Sequence, residues 1–197
     1  MTTKKRPLPK SNYAQQKKAK EPKLFEGENH GVLWVPGKGF QRADYMGPGT
    51  QILKRIQRKD TGKTPIDQIS MLHDIDYTIA SGTASSDAEH ARLGREADNR
   101  MIDSGWKAYK SGKENIFNLT EGAGLIKAKN LLEDWGLMSP TRFLSKRSFK
   151  YKVGAEKRDA TEYEILLRSR SQLVCFASAT QNDSECEKTK TELSSLK

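Results

Sequence analysis

Two short stretches of the chain carry residue types that can do chemistry together. The first is His73-Asp74-Ile75-Asp76-Tyr77. On a helix His73 and Tyr77 stand at i and i+4 and share a face. Asp74 is adjacent and points about a quarter turn away. A histidine with an ordinary pKa of about 6.5 can serve as a general base near neutral pH. A lone histidine on a helix is more often a packing or surface residue, so its neighbours decide. The second stretch is Tyr45-Met46-Gly47-Pro48-Gly49. Its glycines let backbone carbonyls turn toward one side. Calcium accepts backbone carbonyls among its oxygen ligands, and Asp74 could add a bidentate carboxylate. The plain alternative is a type II turn about Pro48-Gly49 with no ligand.

A third candidate is Asp98, in Arg95-Glu96-Ala97-Asp98-Asn99. Across an antiparallel helix pair it can face His73 and Tyr77. A carboxylate there would hydrogen-bond one imidazole nitrogen and fix the tautomer. It can equally be a surface Asp paired with Arg95 or Arg100. Asp87, Glu96 and Asp103 compete for the same role.

The elements that must position these groups are legible in the capping residues. Thr64 is an N-cap, Pro65 suits the first turn, and Asp67 stands three after the cap. Ile66, Ile69, Leu72, His73, Asp76, Tyr77 and Ala80 recur at helical spacing, and Gly82 marks a stop. A second helix is expected from Ser86, with Glu89 completing a capping box, to about Ser104 before Gly105. The connection Thr83 to Ser85 is short enough to make the pair an antiparallel hairpin. A third helix is predicted over Glu121 to Trp135, with Leu125, Ile126, Leu132 and Trp135 as its apolar stripe. Ser139-Pro140 caps a short fourth segment through Phe143 and Leu144. Residues 31–50 read as an ordered loop, because Leu33, Trp34, Phe40 and Tyr45 demand burial.

Composition frames these elements. The chain has 197 residues with a net charge of +10, 35% hydrophobic and 30% charged residues. That suits one small core with polar extensions. The longest apolar runs, around Val32–Val35 and Leu173–Ala177, fall far short of the roughly 20 residues of a membrane span. Residues 1–24 hold eight Lys/Arg against one acid, Glu21. No apolar h-region lies there, so no secretory signal is expected. This arm reads as disordered. Its clusters Lys4-Lys5-Arg6 and Lys17-Lys18-Ala19-Lys20 have the spacing of a bipartite nuclear localisation signal. A solvated tail with generic affinity for nucleic acid fits them equally. Residues 25–150 hold 19 basic and 16 acidic side chains, and residues 151–197 hold eight of each. The last segment is Ser/Thr/Glu/Lys-rich with one β-leaning patch, Glu164 to Phe176, and reads as a largely disordered tail. Only Cys175 and Cys186 occur, which fits free thiols in a reducing compartment.

Tyr45-x-Gly47-x-Gly49, then His73-Asp74-x-x-Tyr77, then Ala97-Asp98 resembles the phospholipase A2 domain of parvovirus minor capsid proteins. The resemblance covers roughly residues 29–150. It implies a small, mainly α-helical domain at 25–150, with an antiparallel catalytic helix pair and a preceding calcium loop. It implies Ca2+ as cofactor, with Tyr45, Gly47 and Gly49 offering carbonyls and Asp74 its carboxylate. His73 is implied as the base that activates a water against the sn-2 ester of a glycerophospholipid. Asp98 orients His73, and Tyr77 hydrogen-bonds Asp98. The implied partners are a phospholipid membrane surface, capsid subunits, and a nuclear import receptor or nucleic acid for the arm. The implied locations are the virion and the host nucleus for a viral chain, and otherwise the cell interior (cytoplasm or nucleus) for a relative captured by a host genome. Activity is expected to fall below the ordinary histidine pKa of about 6.5. Secreted phospholipases share these motifs but are stapled by disulfides, which this domain lacks. Met46 and Thr50 depart from the commonest family residues, at no cost in backbone ligands. The family's capsid proteins continue into a β-barrel shell, and residues 151–197 show no regularly spaced strands. Lys54, Arg55, Arg58 and Lys59 could touch anionic head groups, or form an ordinary solvated helix face.

Three rivals stand beside this. Thr61-Gly62-Lys63-Thr64 echoes a phosphate loop, but Gln57 occupies the place of its first glycine. A basic nucleic-acid-binding module finds support only in the arm. A lipid-binding or structural scaffold without turnover would keep the fold and lose the chemistry.

Overall fold

The computed structural model describes residues 30–140, 142, 150–151, 156–177, 191 and 194, and of 175–177 the backbone alone. The basic arm at 1–24 and most of the expected short segment after Ser139 lie outside these residues.

The described chain is mainly helical. It begins with a hairpin of β1 (Val32–Val35) and β2 (Gly39–Arg42), in register Val32↔Arg42 and Trp34↔Phe40. Strand alternation turns Leu33 and Val35 inward and Val32 and Trp34 outward. The free edge of β1 is covered by the Asn118 amide, which accepts from Trp34 N at 2.7 Å and donates to Trp34 O at 2.9 Å. Helix α1 (Ile52–Arg58) follows the glycine loop and ends on Lys59 in the left-handed region, φ 63°.

Helix α2 (Pro65–Thr83) starts as its sequence demands. Thr64 Oγ1 accepts from Asp67 N, and Pro65 opens the first turn. Helix α3 (Asp87–Lys110) starts on Ser86, whose hydroxyl accepts from Glu89 N at 3.1 Å. Ser81 meets His90 near the turn, and His73 meets Asp98 further down, the pairing of an antiparallel hairpin. Then come α4 (Ile116–Leu119), a π-helical turn at Thr120–Gly124, and α5 (Leu125–Asp134). Helix α2 is sandwiched between two apolar clusters. One gathers Leu33, Met46, Ile66, Met101 and Leu119, and the other Tyr45, Ile52, Ile75, Tyr151 and Leu166.

Five expectations are corrected. The loop read over residues 31–50 contains the β1–β2 hairpin, and of the four residues expected to be buried there Trp34 and Phe40 face solvent, since strand alternation turns every second side chain outward. Neither glycine stops its helix: α2 runs through Gly82 and α3 through Gly105. Both serve close approach. A Cβ on Gly82 would lie 2.1 Å from the Tyr151 ring, and one on Gly105 about 3 Å from Ala123. The single helix expected over Glu121–Trp135 is interrupted by the π turn. Its Leu125 and Trp135 face solvent, while Lys129, Asn130 and Glu133 face inward. Finally, residues assigned to a disordered tail form α6 (Lys157–Ala177). Leu166, Leu167 and Val174 are buried along it, and Arg170 Nε reaches Asp76 Oδ1 of α2 at 2.7 Å. No described helix is long and apolar enough to cross a membrane.

Candidate active site

The glycine loop and the His73–Tyr77 stretch of α2 line one cavity of about 560 Å3, with Tyr45, Gly47, Gly49, His73, Asp74 and Tyr77 among its walls, and Asp98 of α3 stands behind it. Its size is within the ordinary range for a small-molecule site. His73 Nε2 lies 2.9 Å from Asp98 Oδ1, and both side chains are buried. Tyr77 OH donates to the same Oδ1. The rings of His73 and Tyr77 stack tilted, 4.1 Å between centroids, as i and i+4 neighbours should. The other imidazole nitrogen, Nδ1, faces Asp74 Oδ1 at 3.5 Å.

Asp98 is fully buried and carries more than His73. Its Oδ2 lies 2.6 Å from Lys129 Nζ of α5. Lys129 also donates to Glu133 Oε1 at 2.8 Å, and Glu133 meets Arg95 at 2.9 Å. The chain of charges alternates in sign from Asp98 to Arg95, so each charge along it faces an opposite one.

The electrostatics follow from this packing. Burial lowers the pKa of His73, but hydrogen bonds to Asp74 and Asp98 outweigh it and lift the value to about 9. Burial raises the pKa of Asp98, but His73, Lys129 and Tyr77 outweigh it and hold the carboxyl ionised. Burial, then the Asp98 charge, raises the pKa of the Tyr77 phenol, so it stays a donor. Burial raises the pKa of Asp74, with hydrogen bonds from His73 and Thr50 offsetting part of the rise.

The residues present fit a calcium ion. Asp74 Oδ2 is buried and has no hydrogen-bond partner. Thr50 Oγ1 lies 3.4 Å from Tyr45 O and 3.3 Å from Gly47 O, so both carbonyls lie on the side of the loop that carries the Thr50 hydroxyl. Gly47 and Gly49 hold positive φ, 129° and 88°, which lets the loop fold its carbonyls inward. Among the described residues no cluster of three or more His, Cys, Asp or Glu side chains forms a metal group. A site made mainly of backbone oxygens has no need of one.

Asp67 fixes the loop from below. Its carboxylate accepts from Tyr45 N at 2.8 Å, and from Asp44 N and Lys63 N at 3.0 Å each. The sequence marks Asp67 only as a capping residue. Arg55 is corrected as a head-group contact: it is fully buried, 3.8 Å from Asp44 and 3.5 Å from Asp60. Arg58 pairs with Asp60 at 2.7 Å, while Lys54 and Lys59 are exposed. Lys129 and Glu133 escaped the sequence reading. Their i, i+4 spacing opposite an apolar stripe marks a solvent face in an ordinary amphipathic helix.

No protein-family model, curated protein or solved structure matches the chain.

Proposed function

We propose that the chain is a calcium-dependent phospholipase A2 that hydrolyses the sn-2 ester of glycerophospholipids. The observation that carries this is a convergence. His73 and Tyr77, both bonded to the buried Asp98, line one cavity with Asp74, whose Oδ2 is unpartnered, and with Tyr45, Gly47 and Gly49 of the glycine loop.

With Nε2 held by Asp98, His73 presents Nδ1 as the base. Nδ1 takes a proton from a water, and the oxygen so freed attacks the ester carbonyl. His73 then returns that proton to the departing lysophospholipid oxygen. Asp98 stays ionised throughout and steadies the imidazolium, as the carboxylate of a hydrolase triad does. Tyr77 and Lys129 hold Asp98 in place. Tyr45, Gly47, Gly49 and Asp74 are the residues that would hold calcium. When bound, calcium polarises the ester carbonyl and stabilises the oxyanion.

Engaging Asp74 with a cation removes one of the two carboxylates that raise the His73 pKa. Calcium held by Asp74 would therefore lower the His73 pKa from its calcium-free value of about 9, toward the range of a neutral base. As in the parvoviral resemblance, the natural substrate is proposed to be a bilayer breached locally during infection.

The test is fatty-acid release from mixed phospholipid micelles, with calcium and with excess chelator, for wild type and His73→Ala. Calcium-dependent release that vanishes in the variant is expected. Equal release from both proteins, or none from a folded wild type in millimolar calcium, overturns the proposal. A silent scaffold would then remain.

A further inference from the structure

The π turn at Thr120–Gly124 adds another element to the wall of the cavity. Glu121 and Gly122 of the turn line it together with Leu125, Ile126 and Lys129 of α5. In an uninterrupted α-helix, at about 100° per residue, residues 121, 125 and 129 would drift around the axis by about 40° at each step. A turn closed by i→i+5 bonds is wider and takes up part of that drift, so Glu121 keeps its place on the cavity. Gly122 lets the turn sit deep: a Cβ there would stand 2.6 Å from Ile66 of α2. Turns of this kind gather at functional sites.

One charge on the cavity wall is unspent. Lys129 is held by Asp98 and Glu133. Asp74 faces His73 Nδ1 and is a proposed calcium ligand. Glu121 is half-buried, and among the described residues no hydrogen bond or ion pair reaches its carboxylate. The proposed hydrolysis asks nothing of it. A loaded calcium site and the Glu121 carboxylate would give one cavity a positive and a negative pole. A zwitterion complements both, with a phosphodiester for the metal and an ammonium for Glu121. A ligand that carries the phosphodiester alone meets repulsion from Glu121 and gains nothing in return.

We propose that Glu121 is a specificity-determining residue: its carboxylate selects zwitterionic phospholipids, whose head group carries a cationic amine, over anionic ones. The substrate class rests on the phospholipase reading. The unpaired carboxylate on the cavity wall does not. Glu121 is partly open to water, which screens it, so the preference is modest, about two- to fivefold.

The probes are dihexanoyl phosphatidylcholine and dihexanoyl phosphatidylglycerol, each kept monomeric so that no lipid surface contributes. With the full chain in saturating calcium and low salt, kcat/KM is measured on both lipids for wild type, Glu121→Gln and Glu121→Lys. Wild type should favour the choline lipid by about two- to fivefold. Glu121→Gln should abolish the preference, and Glu121→Lys should invert it. The wild-type preference should shrink as salt is added. The rise in melting temperature with calcium should be the same in wild type and Glu121→Gln. A choline-to-glycerol ratio that is equal in all three proteins overturns the proposal. A calcium response lost in Glu121→Gln also overturns it, because the carboxylate then serves the metal. If neither lipid is cleaved, the phospholipase reading fails by itself, and the affinities of the ether-linked dihexanoyl lipids, read by titration calorimetry, decide. A preference inverted in Glu121→Lys then upholds the selectivity of Glu121, and an unmoved preference or no binding overturns it.

Discussion

Lys129 Nζ sits 2.6 Å from Asp98 Oδ2, on the side of the carboxylate opposite His73. Asp98 thus stands between the imidazole of His73 and the side-chain amine of Lys129. A fully buried carboxylate shared with a neutral imidazole would be costly in itself. The lysine makes it affordable, and Glu133 with Arg95 balances the lysine in turn. Helix α5 is therefore part of the frame that holds Asp98 and His73 in place and not only a cover for it.

Lys129→Met removes the cation and leaves Asp98 and Glu133 facing each other. Loss of one partner from a buried pair costs about 3–5 kcal/mol. Urea denaturation should show a loss of that order. Lys129→Met/Glu133→Gln removes one charge of each sign and should recover part of the loss. Ester hydrolysis by the double variant should still lag wild type, because Asp98 has lost a positioning contact. Full stability in Lys129→Met alone would argue that the pair is absent in solution.

The acid–base behaviour of His73 should depend on calcium. In chelator its folded pKa stands near 9, against about 6.5 unfolded. The folded value is raised, so His73 adds stability that is fully present below pH 6.5 and is lost as pH climbs through 9. Calcium-free protein should therefore show a falling melting midpoint across that window, flatter in His73→Gln. An NMR titration of the His73 ring should give a value near 9 in chelator and a lower one in calcium. A ring pKa indifferent to calcium would mean that Asp74 does not hold the ion.

Much of this site was legible because its signals are local. Thr64 and Ser86 cap their helices as read, and the short connection between them forces the hairpin that brings His73 to Asp98. Other features depend on partners far along the chain. Gly105 looks like a stop, yet it is a packing notch whose neighbours Ala123 and Leu119 come from the next elements. Helix α5 obeys the amphipathic rule in pattern and breaks it in orientation, because one ion pair with Asp98 sets its rotation. Helix α6 was missed since its Ser, Thr, Glu and Arg outweigh a thin apolar line. Its anchor, Arg170 on Asp76, spans 94 positions.

Asp74→Asn tests the proposed calcium site without removing His73, the proposed base. Wild type should gain melting temperature with calcium, by the linkage expected for a ligand that binds only the folded state. At about 100 times its dissociation constant that gain corresponds to about 2.7 kcal/mol. Asp74→Asn should lose the response, since backbone carbonyls alone supply too little charge. The calcium-free variant should be no less stable than calcium-free wild type, because burial already disfavours the ionised Asp74. Differential scanning calorimetry with and without calcium reads both effects. An undiminished calcium response in Asp74→Asn would move the ligand set elsewhere.

Leu166 separates a packed α6 from a loose tail. In a segment without fixed structure, Leu166→Ala should change stability by less than about 0.5 kcal/mol. In the structure Leu166 is fully buried, in one cluster with Ile75 and Tyr45. Truncating such a side chain costs about 2–5 kcal/mol, depending on how far the site collapses. The cluster lies on the face of α2 that carries Ile75, two residues from His73. A loosened cluster should therefore raise hydrogen exchange along α2 before global unfolding. Arg170→Ala should act in the same direction but more weakly, because Asp76 keeps its 2.8 Å pair with Arg100. Denaturation midpoints ordered wild type, Arg170→Ala, Leu166→Ala would establish α6 as a brace on the helix that carries the base. Three coincident midpoints would return residues 157–177 to the loose tail that their composition suggests.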